Sequence, residues 1–397
     1  MPEARRILAR LPALLGAAVV ALGAAQIIWN GSLGRLVPAL HWHVKIPLGA
    51  VPANPPPLTW ATLLDGAWQH QVAHSVGPGT LLYRMSVRWR SQIYYSVFGT
   101  TGGEEIGVGP GKQLFQWAYV HAYCSGSTAA MQAQAPDAAA RLRQLQDRLA
   151  AEGRDFLYLI TPSKVAENPA IIPAGYPCPH GADAAARRSV WTAALAHAGV
   201  HYADTVAALE QARDRYPVPL FPRGGTHWDA LGAALGAQAL TAAVDAQAPL
   251  LTPFSFSVAV ALQPEGDDRD LYDTLNLVAH DDHYPVPRLA YHSVPPVPCR
   301  PARIVEVAGS FIFQLNAALV SVACPPDIHV YWYWRERAFR YPAGRREQVA
   351  LDPAERAEDI LRWADLVILE ENESTTPASA QGAALMQLLA ARATAER

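Results

Sequence analysis

The sequence predicts an α/β fold, a parallel sheet with helices on both faces. Three observations carry it. From Pro136 onward, amphipathic helix patterns alternate with short apolar runs, the order that builds parallel sheets through helical crossovers. The runs close on turn-forming residues such as Pro162, Asp204 and Gly309, so each strand end opens into a loop. A chain of 397 residues that is 51% hydrophobic and 17% charged can bury a core large enough for a three-layer domain.

The elements follow in order. The segment PDAAARLRQLQDRLAAEG, beginning at Pro136, places Leu142, Leu145 and Leu149 on one helix face and stops at Gly153. FLYLIT is a buried strand ending before Pro162. DAAARRSVWTAALAHAG is a helix, VHYAD a strand and WDALGAALGAQALTAAV a helix. RIVEVAGSF is a strand running into a turn, and DIHVYWYW and DLVILEEN are further strands. YWYW, Tyr331 to Trp334, alternates between the two faces of its strand. Upstream, VPANPPPLTW is an extended Pro-rich linker, and the alternating LLYRMSVRWRSQIYYSVFG predicts strands. GTTGGEEIGVGPGKQLF is hairpin-like and lacks the order of a phosphate loop. Between about 249 and 300 the alternation breaks down in a segment rich in Pro, Asp and His, an insertion placed to cover a site.

The N-terminus implies export. Arg5, Arg6 and Arg10 precede an uncharged, mostly apolar run from Leu11 to Trp29, close to the roughly 20 residues that span a bilayer. Leading cations keep that end cytoplasmic, so residues 1–30 are expected to form a signal anchor in the inner membrane, with the rest of the chain periplasmic. A cleaved signal peptide is the alternative, because small residues crowd ALGAAQ. The linker and strands then occupy 31–95 and the catalytic domain 96–397. The four cysteines show no zinc spacing. In an oxidising compartment an even count predicts disulfides, and sequence order favours Cys124–Cys178 and Cys299–Cys324 among the three pairings possible. A net charge of −3 and no basic stripe exclude nucleic acid as a partner. HDDH, His280 to His283, carries metal-like residue types without a further ligand and reads as a solvated loop. No metal or cofactor is expected.

Two turns are placed for catalysis, because in open α/β sheets sites form at the C-terminal ends of the strands. Ser310 follows a buried strand and Gly309, where its hydroxyl is exposed and the backbone N–H groups of Gly309 and Ser310 can stabilise an oxyanion. Helix capping is its plain structural role. His227 precedes a helix for which Thr226 could be the cap. A serine hydroxyl needs an imidazole to take its proton and a carboxylate to orient that imidazole. Arg223 and Trp228 flank the histidine and could hold a glycan, the indole by stacking and the guanidinium by pairing a sugar carboxylate. Core packing is the other reading of Trp228.

Taken together, VGPGKQLF, YLITPSKVAENPAIIP, GGTHWDALGA, GDDRDLYDTLNL, VAGSF and ADLVILEENES resemble, in this order over residues 95–376, the SGNH-hydrolase-like O-acetyltransferases of the alginate and cellulose acetylation systems. The resemblance implies a flavodoxin-like three-layer domain with permuted motif order, His227 as base before Ser310 as acyl-accepting nucleophile. It also implies a polysaccharide substrate and a membrane-bound O-acyltransferase as acetyl donor. The family's carboxylate lies two residues before the histidine, where this chain has Gly225. Asp204, at the end of HYAD, is the candidate replacement, with a backbone carbonyl as the alternative and helix capping as the competing role of Asp204. Asp229 points along the new helix. On that basis Gly225→Asp is expected to raise activity. A degraded, glycan-binding scaffold and a secreted esterase are the competing functions.

Overall fold

The computed structural model describes residues 59–66 and 81–395, apart from 248, 280–282, 336 and 378, together with positions 18, 21, 22, 25, 29, 47 and 48. Two compact units emerge. One comprises residues up to 103 with 271–281, the other 104–270 with 282–397. Most of the Leu11–Trp29 run and three of the four HDDH residues lie outside the described residues. Among the described residues no helix is long and apolar enough to cross a membrane.

In the first unit the expected strands of LLYRMSVRWRSQIYYSVFG are instead one helix, α1 (Leu81–Val97). Its exposed positions, Tyr83, Ser86, Trp89 with Arg90, Ile93, and Ser96 with Val97, recur every three or four residues. That is the helical period rather than the two-residue period of a strand, and the aromatic content masked it.

The second unit is built on a seven-stranded sheet. Its strands are β3 (Asp155–Thr161), β4 (Tyr202–Asp204), β7 (Arg303–Ala308), β8 (Asp327–Trp332), β9 (Arg337–Arg340), β10 (Glu347–Ala350) and β11 (Leu366–Asn372), in the order β10-β9-β8-β7-β11-β3-β4. The run β8-β7-β11-β3-β4 is parallel, as the sequence predicts. β9 and β10 add an antiparallel edge, so the sheet is mixed. Two antiparallel strand pairs stand apart from it: the hairpin of β1 (Ile106–Val108) with β2 (Leu114–Gln116), where the Gly-rich stretch predicts one, and β5 (Phe254–Ala261) with β6 (Val286–Ser293) inside the 249–300 segment.

Alternation along each strand sorts the core into two layers. Leu157, Leu159, Ile304, Ala308, Leu366 and Ile368 face one side. There they pack under α5 (Thr205–Ala212), α6 (Ala230–Asp245) and α7 (Ile312–Leu319). Phe156, Tyr158, Ile160, Val305, Val307 and Val367 face the other, under α3 (Thr128–Ala151), α4 (Ala184–Ala198) and α8 (Ala380–Ala395). The remaining helix of this unit that matters below is α2 (Trp117–Ser125). α3 starts well before its expected origin at Pro136. Ser127 caps it by accepting the Ala130 N–H at 3.1 Å, and buried Met131 and Ala135 extend its apolar stripe upstream. Pro136 sits inside the helix at the cost of one backbone hydrogen bond. Both expected disulfides are formed, Cys124–Cys178 and Cys299–Cys324, and no cysteine is free.

Candidate active site

Ser310 stands immediately beyond β7, after Gly309. A Cβ on Gly309 would lie 3.0–3.2 Å from the Tyr333 ring, the Tyr333 hydroxyl and a Glu370 carboxyl oxygen, so a larger residue would fit only if these side chains gave way by a few tenths of an ångström. His227 lies in the loop before α6. Its Nε2 is 2.7 Å from Ser310 Oγ, and its Nδ1 is 2.8 Å from Asp270 Oδ2. The second carboxyl oxygen of Asp270 accepts the Thr226 N–H at 2.9 Å, so this one carboxylate fixes both the ring and the backbone that carries it. Thr226 Oγ1 donates to Gln116 Oε1 at 3.1 Å. With Nδ1–H donated to Asp270, Nε2 is left as acceptor for the serine proton, the tautomer that base catalysis requires. The histidine ring also packs edge-on against Phe311, with centroids 4.9 Å apart.

Asp204 is not the orienting carboxylate. It caps α5 by accepting the Ala207 N–H at 3.2 Å, and its other oxygen pairs with Arg188 at 3.2 Å. Asp270 takes the role, and the residues before it fill the space beside Gly225. A Cβ at position 225 would lie 2.4 Å from the Asp267 carbonyl oxygen, so Gly225→Asp cannot restore a carboxylate there without displacing those residues. Thr226 does not cap α6. Asp229 does, its Oδ1 accepting the Leu231 and Gly232 N–H groups at 2.9 Å each. The signal for Asp270 lies in the acidic run of GDDRD, whose fold position cannot be read from spacing alone.

Other expectations change as well. Trp228 is fully buried, with its indole N–H donated to the Phe311 carbonyl at 3.1 Å, and it offers no face to a ligand. The Arg223 guanidinium stacks on Tyr284 at 4.7 Å. Gly309 does not present a free N–H to an oxyanion, because Glu370 Oε2 accepts it at 2.6 Å. Tyr333 takes up a place near the nucleophile instead. Its hydroxyl is 3.2 Å from both Ser310 N and Ser310 Oγ. YWYW does not alternate along one strand: β8 ends at Trp332, and Tyr333 and Trp334 turn with φ of 49° and 56°. Left-handed backbone is costly for aromatic residues, of order 1 kcal/mol or more each, and this turn carries the phenol to Ser310.

Lys164, in the PSK of the strand–loop segment, is buried. Its ammonium donates toward four carbonyls, Leu114 at 2.7 Å, Pro222 at 2.6 Å, Arg223 at 3.1 Å and Gly225 at 2.8 Å. Burial pulls it down to about 7, while the charge of Asp270 pulls it back up. It ties the β1–β2 hairpin to the loop that carries His227. A cavity of about 420 Å³ opens beside Ser310, and Gln116, Tyr119, Tyr333, Asn372, Ser374 and Gln381 line it. Burial raises the Tyr119 phenol well above its ordinary range, and the charges of Tyr333 and Glu370 push the same way. Among the described residues no group of three or more His, Cys, Asp or Glu side chains could hold a metal ion.

Residues 115–298 match the family model of the ALGX SGNH hydrolase-like domain, acetyltransferase AlgX. The match includes Lys164, His227 and Asp270 and ends before Ser310. No protein of curated function matches the sequence. Among solved structures, the O-acetyltransferase domain of Pseudomonas putida AlgJ is similar at 19% identity with a TM-score of 0.46, covering 72% of this chain and 99% of that one. Pseudomonas aeruginosa AlgX is similar at 14% and 0.46, covering 76% and 70%, and Bacillus cereus PatB1 at 11% and 0.44, covering 70% and 99%. Over residues 115–298, which carry the histidine and carboxylate of the site, the chain is thus similar to the SGNH hydrolase-like acetyltransferase domain of AlgX.

Proposed function

We propose that the protein is an exported O-acetyltransferase that carries an acetyl group on Ser310 and delivers it to a polysaccharide hydroxyl. The observation that supports this best is the unbroken chain from Asp270 through His227 to Ser310, with spacings of 2.8 and 2.7 Å. In acylation, Ser310 Oγ attacks the carbonyl of the donor ester and its proton passes to His227 Nε2. The Tyr333 hydroxyl, which accepts the Ser310 N–H and lies 3.2 Å from Ser310 Oγ, can donate to the tetrahedral oxyanion. The donor C–O bond then breaks, and the leaving oxygen takes the proton from His227. In the second half, a sugar hydroxyl gives its proton to His227 and attacks the acetyl carbon, and Ser310 Oγ leaves and recovers the proton. Asp270 keeps its hydrogen bond to Nδ1 and steadies the imidazolium.

The hydroxyl and amide groups around the cavity suit a sugar ring, whose own hydroxyls donate and accept. Arg5, Arg6 and Arg10 before the apolar run favour a membrane-anchored, periplasmic placement, as does the disulfide pair. There the acetyl donor is a membrane-bound O-acyltransferase. Gly225 no longer favours a degraded, scaffold-like site, since Asp270 stands behind the imidazole. A secreted esterase differs only in the acceptor, water in place of sugar. Ser310→Ala tests the proposal: it should abolish acetyl transfer from a small ester to an oligosaccharide while the thermal melting profile stays as in the parent chain. Undiminished transfer by that variant would sink it.

A further inference from the structure

Glu370 lies at the end of β11, beside the nucleophile turn, and the acyl-transfer chemistry above gives it no role. It is 1% exposed. One carboxyl oxygen accepts the Gly309 N–H at 2.6 Å, and the other is bonded by the Thr161 hydroxyl. It lines the same cavity as Ser310 and Tyr333. The absent Cβ of Gly309 would touch Glu370 Oε2 and the Tyr333 hydroxyl at 3.2 Å each, so both groups flank the same turn residue. A carboxylate here sits next to the place where the negative oxygen of a tetrahedral intermediate forms.

We propose that Glu370 is a positioning residue for acyl transfer: it clamps the Gly309–Ser310 turn through the Gly309 N–H, and the enzyme works with this carboxyl group neutral, because its charged form opposes the oxyanion. The proposal rests on the reading of Ser310 as the acetyl carrier. Burial raises Glu370 to about 7, against the hydrogen bonds from Thr161 and Gly309, which favour the charged form. Glu371 on its own strand raises it, and His227 from the loop before α6 lowers it. Glu306 on β7, Tyr158 on β3, Tyr119 on α2 and Tyr333 after β8 are also electrostatically or spatially close. Ionisation of Glu370 sets a fall on the alkaline side, which a Ser-His-Asp site without such a group does not require.

The test is kcat and KM for p-nitrophenyl acetate between pH 5 and pH 9 on the full chain, for the parent, Glu370→Gln, Glu370→Ala, Thr161→Val and Ser310→Ala. The parent rate should fall above about pH 7. Glu370→Gln keeps an acceptor for the Gly309 N–H, and either its amide oxygen accepts from the Thr161 hydroxyl or its amide N–H donates to the Thr161 oxygen, but it cannot ionise. It should retain the pH 6 rate within about tenfold and lose the alkaline fall. Glu370→Ala should lower kcat by about tenfold or more at pH 6 with little change in KM, and should likewise lack the alkaline fall. Thr161→Val removes a donor that favours the charged form and should move the alkaline fall upward by about half to one unit. If the fall persists unchanged in Glu370→Gln, the proposal is overturned. Should that variant not fold, an unmoved fall in Thr161→Val overturns it instead. A purely structural Glu370 would lower melting temperature and rate without reshaping the pH profile. Full activity in Ser310→Ala would overturn the acyl-carrier reading itself, an outcome separate from the others.

Discussion

Asp270 and Asp204 have the same functional group and opposite surroundings, and the difference decides their roles. Asp270 bonds the ring and the backbone of the residue before it, whereas Asp204 spends its oxygens on a helix end and on Arg188. Asp270→Asn should therefore lower kcat for acetyl transfer by about a hundred- to ten-thousandfold by favouring the wrong imidazole tautomer. Asp204→Asn should leave kcat within about twofold, since no atom of Asp204 bonds the triad. Steady-state kinetics on the two variants separates them, and equal losses would contradict the assignment. Gly225→Asp, read from sequence as a restoration, should instead lower activity and melting temperature, because its Cβ would meet the Asp267 carbonyl at 2.4 Å. Ser310 and His227 were legible because a strand–Gly–Ser turn and a His at a helix start are local patterns. Asp270, Tyr333 and Glu370 were not, because their roles come from contacts 43, 23 and 61 residues away in the chain. Nothing in spacing reports such contacts.

Elements carry the site through a few buried ties. Lys164 joins the β1–β2 hairpin to the loop of residues 222–225 through four carbonyls. Lys164→Met fills similar space but orphans those acceptors, each at a cost of about 1–3 kcal/mol where water cannot replace the donor. The variant should melt at a markedly lower temperature by calorimetry, and KM should rise as the His227 loop loosens. An unchanged melting temperature would mean that the carbonyls find other partners. The parallel strands and their helices were readable from alternating patterns. The antiparallel β9 and β10 were not, since RAFR and EQVA are short, largely polar strands, the second of them at the sheet edge. α1 was misread because its aromatic residues imitate strand composition while its burial follows helical spacing.

Across the whole molecule, two features set the response to solution conditions. Glu306 and Asp229 are pushed by burial to about 8, and Glu370 and Glu373 to about 7. All four hold protons in the folded chain that the unfolded chain releases near pH 4 to 5. The unfolded state therefore binds fewer protons in this range, and stability falls as pH rises. The melting temperature should drop between about pH 5 and pH 7, below the Lys164 transition near 7, and Glu306→Gln should flatten that slope. A melting temperature that rises across this window would contradict the assignment. The two disulfides close loops with sequence separations of 54 and 25 residues. By chain entropy they contribute about 4 and 3.5 kcal/mol, so reduction should lower the melting temperature steeply, consistent with a chain built for an oxidising compartment.

The central claim is that Ser310 carries the acetyl group, and peptide mass spectrometry of the protein quenched in acid shortly after mixing with a small acetyl ester tests it most directly. The account predicts one acetyl group on the peptide containing Ser310, accumulating in the parent chain, absent in Ser310→Ala, and lost on addition of an acceptor oligosaccharide. Turnover of the ester with no acetyl on that peptide, or with the same label in Ser310→Ala, would contradict it.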